Sequence, residues 1–217
     1  MLAKILDMVL KPQIFYLVLV VLMCTLHIWI RYLQGTMKKE LTYEEIDKLF
    51  KNDLEWKNEF IDSKTLGKSD KDRSIELIIH KLDSKKTSIR YIASHMILTF
   101  KIERAKEKLI KRILDKETFN SNGTMTYALS HLNCQNYLVN VFEILATQSY
   151  ESKIHAYSIM SEQTFEFTED DLNKMKNIWN QFEESTKRNK DLDEETIEMV
   201  KDGYEGYVSY LDKQQSK

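Results

Sequence analysis

Residues 74–100 read SIELIIHKLDSKKTSIRYIASHMILTF, and this stretch decides the fold class. Ile75, Ile78, Ile79 and Leu82 recur at helical spacing, and after a polar interval Ile89, Ile92, Ala93, Met96, Ile97 and Phe100 do the same. Apolar residues spaced three and four apart line one face of a helix, which then has to be buried against something. The stretch therefore predicts two amphipathic helices joined by a polar turn.

The pattern repeats downstream. Leu109, Ile110, Ile113 and Leu114 are followed by Met125, Ala128, Leu129 and Leu132; Leu138, Val141, Phe142 and Leu145 are followed by Ile154, Ala156, Tyr157 and Met160. The first helices of the three pairs end at Leu82, Leu114 and Leu145, steps of 32 and 31 residues. The second helices echo one another as well: Tyr91, Ser94, His95 and Met96 match Tyr127, Ser130, His131 and Leu132, 36 residues on. A helix pair recurring with a period in the thirties predicts an all-α fold of the α-solenoid kind, in which each pair buries its apolar face on the next.

Leu82-Asp83, Ile89-Arg90, Ala93 and Ile97 together resemble a HEAT repeat. The resemblance covers about residues 74–165. It implies a right-handed α-solenoid of about three helix pairs, in which an Asp closes the first helix and an Arg opens the second. It also gives Asp83, Arg90 and Lys153 structural duties, with Arg90 expected to bond Asp83. The later pairs depart from the pattern: Thr126 stands at the Arg position of the second, and the third has Lys153 but no Asp after Leu145.

Composition agrees with helices. One proline and five glycines in 217 residues are too few for a turn-rich β fold. At the N-terminal end, Ile14–Ile30 reads IFYLVLVVLMCTLHIWI, with only Thr25 and His27 polar, Lys11 and Arg31 as brackets, and Tyr16, Trp29 and Tyr32 near its ends. At about 1.5 Å per residue such a run approaches the roughly 30 Å of a hydrocarbon core, and aromatic rings favour the interface. A cleaved signal would be shorter and would end in small residues. The expected organisation is a single-pass transmembrane anchor over 1–32, a linker over 33–42, a helical N-terminal cap and loop over 43–72, the HEAT-like repeats over 73–165 and capping helices over 166–213. Lys4 and Lys11 on one side balance Arg31, Lys38 and Lys39 on the other, so the sequence assigns no side of the membrane to the domain.

The search for chemistry gives little. Residues 1–39 carry +4 and the remainder −6, a poor match for phosphate backbones, and no nucleic-acid partner is expected. The five histidines form no zinc spacing, and no cofactor or metal is expected. Ser94 and Ser130 precede histidines directly, but adjacent residues on a helix point about 100° apart and do not face one another. Cys134 has no identifiable base and reads as an inert thiol. The candidate binding surface is a stripe of Tyr91, His95, Tyr127 and His131 on matching faces of two second helices. The expected function is a membrane-anchored scaffold that binds a protein or peptide partner, without enzymatic activity. The alternatives are an immunity or inhibitor protein that neutralises a bacterial toxin through its acidic domain, and a helical-repeat enzyme, for which no convergent catalytic set is visible.

Overall fold

The computed structural model describes residues 39–52, 61, 64–188 and 193–215, with side chains up to 209. The apolar run 14–30, with Cys24 and His27, lies outside these residues, as do Trp56 and the side chain of Tyr210. Among the described residues no helix is long and apolar enough to cross a membrane.

Among the described residues the chain is all-α apart from one short strand pair. Strand β1 (Lys39–Leu41) leads into α1 (Tyr43–Asn52); β2 (Lys64–Leu66) precedes α2 (Lys71–Lys81) and α3 (Thr87–Phe100). Then come α4 (Lys106–Ile113), α5 (Gly123–Ser130), α6 (Leu138–Thr147) and α7 (Tyr150–Glu162), and finally α8 (Glu169–Arg188) and α9 (Glu194–Gln215). Short 3₁₀ turns cover Glu103–Ala105 and Lys116–Ser121. Helices α1 and α8 are opened by reciprocal capping boxes at Thr42 and Thr168. Thr42 Oγ1 accepts from the Glu45 amide at 3.2 Å while Glu45 accepts from the Thr42 amide at 3.0 Å. Thr168 and Asp171 repeat the exchange at 3.2 and 2.9 Å, so two otherwise orphaned amides are satisfied at each end.

The strand pair departs from the expected linker and loop. Lys39, Glu40 and Leu41 run parallel to Lys64, Thr65 and Leu66, and the Gly67 amide donates to Leu41 O at 2.9 Å. Three-residue strands are too short to show an alternating pattern, which is why periodicity misses them.

Each expected pair packs as a hairpin, α2 on α3, α4 on α5 and α6 on α7, while α3, α5 and α7 lie side by side. Ile78, Leu82, Ile92, Ala93, Met96, Ile97, Leu109, Ile113, Met125, Leu129, Phe142 and Leu145 are fully buried, so the apolar stripes read from the sequence form one continuous core. Ala93, Ala128 and Ala156 of the three second helices are buried. Helix α8 packs on α6, and α9 packs on α6, α7 and α8. The Trp179 ring stacks on Tyr204 at 5.1 Å and 6°, and the Tyr207 hydroxyl donates to Met160 O at 2.9 Å, so these aromatics belong to the packing of the two last helices.

The two glycines of α9 behave differently. A Cβ on Gly203 would fall 2.7 Å from Leu145 Cδ2, so Gly203 is where α9 closes on α6. A Cβ on Gly206 would meet nothing within 4 Å. Glycine in an exposed helix interior costs about 1 kcal/mol relative to alanine, whereas an inserted group at a tight contact costs roughly 1–3 kcal/mol. Thermal denaturation of single variants is expected to show Gly206→Ala melting higher than the parent and Gly203→Val melting lower. Equal shifts of one sign would contradict the close approach at Gly203.

Candidate functional site

The structural positions predicted around the pair turns, Asp83, Arg90 and Lys153, each have hydrogen-bond partners of their own. In α3, Arg90 is buried, and its Nη1 donates to Ser84 O at 2.8 Å and Lys85 O at 3.1 Å. Its Nη2 reaches Thr87 Oγ1 at 3.1 Å and, in the next unit, Ser121 Oγ at 2.5 Å. The expected Arg90–Asp83 bond is replaced by these carbonyls. Asp83 instead accepts from Lys108 Nζ of α4 at 2.5 Å, because it sits on the outer side of the turn while the guanidinium runs inward. Removal from water holds the Arg90 pKa below its ordinary value, with the nearby Arg112 charge adding to the effect.

At the equivalent turn of the second pair the work is done by Asn122, not by Thr126. Asn122 is fully buried. Its Nδ2 donates to Ile113 O at 3.1 Å and Gln148 Oε1 at 2.8 Å, and its Oδ1 accepts from the Ser149 and Ser152 hydroxyls at 2.7 Å each. Thr126 Oγ1 joins the same network at Asn122 O and Ser152 Oγ. The glycosylation-type sequon Asn122-Gly123-Thr124 thus has its amide consumed inside the fold. At the third turn Lys153, 7 % exposed, donates to Leu145 O and Ala146 O at 2.8 Å each, the last carbonyls of α6. Burial pushes its pKa down to about 8, opposed by the Asp193 carboxylate.

A cavity of about 480 Å³ opens beside Lys153, between the end of α6, the turn 116–121 and α8. Phe119, Ile178 and Phe182 supply its apolar walls, Gln148 and Gln181 its amides. The Lys153 ammonium lies 5.6 Å from the centroid of the Phe182 ring. Sequence reasoning assigned Lys153 a structural duty and missed the cavity, since the two Phe and two Gln come from distant segments with no shared motif.

The Tyr/His stripe is partly assembled. Tyr127 is 42 % exposed, and its ring meets His131 edge-on at 4.7 Å. His131 Nδ1 sits 3.0 Å from Tyr127 O, the i–4 carbonyl of its own helix. A residue absent from the predicted set, His155 of α7, lies 5.1 Å from the Tyr127 ring. Burial lowers the His155 pKa; Glu151 opposes the shift and His131 adds to it. Tyr91 and His95 hold half-buried places on the neighbouring α3. Ile154 and Tyr150, 42 % and 49 % exposed, stand one helical turn apart on α7. Among the described residues no group of three or more His, Cys, Asp or Glu is placed to hold a metal ion. Cys134 is fully buried, and desolvation raises its pKa to about 12, so its thiol is unreactive at neutral pH.

The Lys153 shift fixes the sign of a pH effect. Between about pH 8 and the ordinary lysine value of 10.5, the unfolded chain keeps a proton that the folded chain has released. Stability rises with pH wherever the unfolded state binds more protons. Parallel urea titrations are therefore expected to show the stability of the parent rising relative to Lys153→Met between pH 7.5 and 10. A difference independent of pH would mean that the buried ammonium titrates normally.

Compared with protein-family models, curated proteins and solved structures, the chain finds no match in any of the three.

Proposed function

We propose that the chain is a membrane-anchored helical-repeat scaffold, built from HEAT-like pairs in a right-handed solenoid, that binds a protein partner. The observation that carries this reading is the spacing of the bonds between successive units. Arg90 reaches Ser121, 31 residues on. Asn133 reaches back to Glu103 across 30 residues, Asn122 meets Ser152 across 30, and Cys134 meets Gln163 across 29. Contacts recurring at one repeat length are what a stacked array requires, since each unit touches only its neighbours. The surface of the second helices supports the binding role: Tyr127, His131, His155, Ile154 and Tyr150 leave aromatic and aliphatic area in water, and such groups anchor interfaces. The apolar run 14–30 supports the anchor, which would concentrate the domain and its partner at the bilayer.

The toxin-neutralising alternative gains one observation. The mean charge of the domain hides a strong polarity: residues 71–117 hold thirteen Lys and Arg against seven Asp and Glu, and residues 118–217 hold nine against seventeen. Glu195, Glu198, Asp202 and Glu205 line a cleft of α9 with Tyr157 of α7 and a single cation, Lys201, which pairs with Glu205; the net negative surface suits a basic protein.

The anchor and the binding surface are separable in one set of variants. The full chain is expected to stay with the membrane pellet after an alkaline carbonate wash, and residues 39–217 to remain in the supernatant. Recovery of both in the supernatant would remove the anchor from the reading. With a partner identified by crosslinking of the full chain, Tyr127→Ser combined with Ile154→Ser is expected to lower affinity at least tenfold without lowering the melting temperature. Unchanged affinity would move the interface elsewhere, and undiminished binding together with loss from Glu198→Lys and Asp202→Lys would favour the acidic cleft.

A further inference from the structure

The three pair turns are built to one plan, and the third is incomplete. In the first, the cation opening the second helix spends its outer nitrogen on a serine of the next unit, Arg90 on Ser121, 31 residues away. In the third, Ser185 of α8 stands 32 residues after Lys153 and faces the same region, but its hydroxyl donates to Phe182 O of its own helix at 2.7 Å. The reason is local: Ser121 belongs to a turn that lies against Arg90, whereas Ser185 sits inside a long straight helix whose backbone offers its own acceptor.

Lys153 therefore spends two of its three N–H donors on the carbonyls of Leu145 and Ala146, and it lines the cavity with its ammonium 5.6 Å from the centroid of the Phe182 ring. Among the described residues it makes no ion pair. Asp193, whose charge favours the ammonium, spends its carboxylate on the amide and hydroxyl of Thr196 at 2.7 and 2.9 Å. The other charged group on the cavity wall is Glu143. A buried cation held by two neutral carbonyls and the face of one ring, with no ion pair of its own, is an arrangement that a bound anion relieves. The space is of the size that small ligands fill, and its aromatic walls with a few convergent polar groups have the composition of a ligand site.

We propose that this cavity binds a ligand carrying a carboxylate on an aromatic or branched aliphatic body, with the carboxylate on the third N–H of Lys153 and the body against Phe119, Ile178 and Phe182. Gln148 and Gln181 stand on the wall to donate to the second carboxylate oxygen or to a neighbouring amide. A free small acid and the terminal carboxylate of a peptide share this chemistry. The inference concerns the cavity alone and stands whether or not the chain is anchored or the Tyr127 surface binds a protein.

The test is a titration of the protein with 3-phenylpropionate and with 3-phenylpropan-1-ol, the uncharged counterpart, read by chemical-shift changes at Phe119, Lys153 and Phe182. Saturable shifts are expected for the acid, at least tenfold tighter than for the alcohol. The preference is expected to vanish in Lys153→Met, and the acid's affinity to fall as pH rises above about 8, where the ammonium is lost. Phe119, at 42 % exposure, is a rim residue, so Phe119→Ala preserves the Lys153 bonds and is expected to weaken the acid severalfold while melting like the parent. That variant keeps the test decisive should Lys153→Met unfold. A short peptide ending in phenylalanine, free or amidated, separates the sources. Tighter binding of the free-ended peptide than of 3-phenylpropionate assigns the site to a peptide terminus, and the reverse order assigns it to a free acid. Equal affinity for acid and alcohol, or no shift with any probe at 10 mM, overturns the proposal.

Discussion

A helix that ends inside a protein leaves carbonyls without partners, and in this chain the last carbonyls of α4 and α6, like the turn carbonyls after α2, accept from side chains at the start of the following helix. Arg90 closes the turn after α2, Asn122 the end of α4 and Lys153 the end of α6. These groups lie where the core meets the turn, with Asn122 fully buried and the other two nearly so. A buried carbonyl without a donor costs about 1–3 kcal/mol, so the hairpins depend on these donors as much as on their apolar stripes. The same side chains tie one unit to the next: Arg90 through Ser121, and Asn122 through Gln148, Ser149 and Ser152. At Asn122 one side chain both caps a helix and ties one hairpin to the next.

That device explains what was legible in the sequence. The apolar stripes were plain, because a 3.6-residue period survives degeneracy and every expected pair is present. Arg90 and Lys153 were read as structural from the HEAT-repeat resemblance, which places a cation at the start of the second helix, and both donate to backbone carbonyls. Those acceptors were not legible. A carboxylate one turn away, Asp83, looked like the obvious acceptor, but backbone carbonyls leave no mark in a sequence. The second turn, where the sequence has Thr126 at the Arg position, uses a residue that the pattern does not mark. The longer connection between α4 and α5 moves the capping group forward to Asn122, where an amide both donates to Ile113 O and accepts from two serines. A single hydroxyl at Thr126 cannot do both toward that many partners.

The candidate sites were legible in proportion to how local they are. Tyr127 and His131 share a helix, and their ring contact follows from four-residue spacing. His155 joins them from α7, and nothing in its own neighbourhood signals this. The cavity at Lys153 is less local still, since its walls come from the turn at 119, the end of α6 and the middle of α8. The charge polarity was present in the sequence but hidden by averaging: a net −6 for residues 40–217 describes neither its basic part nor its acidic part.

The third turn shows what the repeat plan permits when one element changes. Following α7, the chain does not make another short hairpin with a 3₁₀ turn. It makes α8, a 20-residue helix, and α9, a 22-residue helix, which pack across α6 and α7. A long regular helix cannot bring a turn serine onto Lys153 as the turn 116–121 brings Ser121 onto Arg90. The capping duty at α6 survives, since it is made within the hairpin, and the bond to the next unit is lost, since it needed a turn. A space is therefore left beside the last of the three hairpins. The change from short hairpins to two long helices is thus also what opens the cavity beside Lys153.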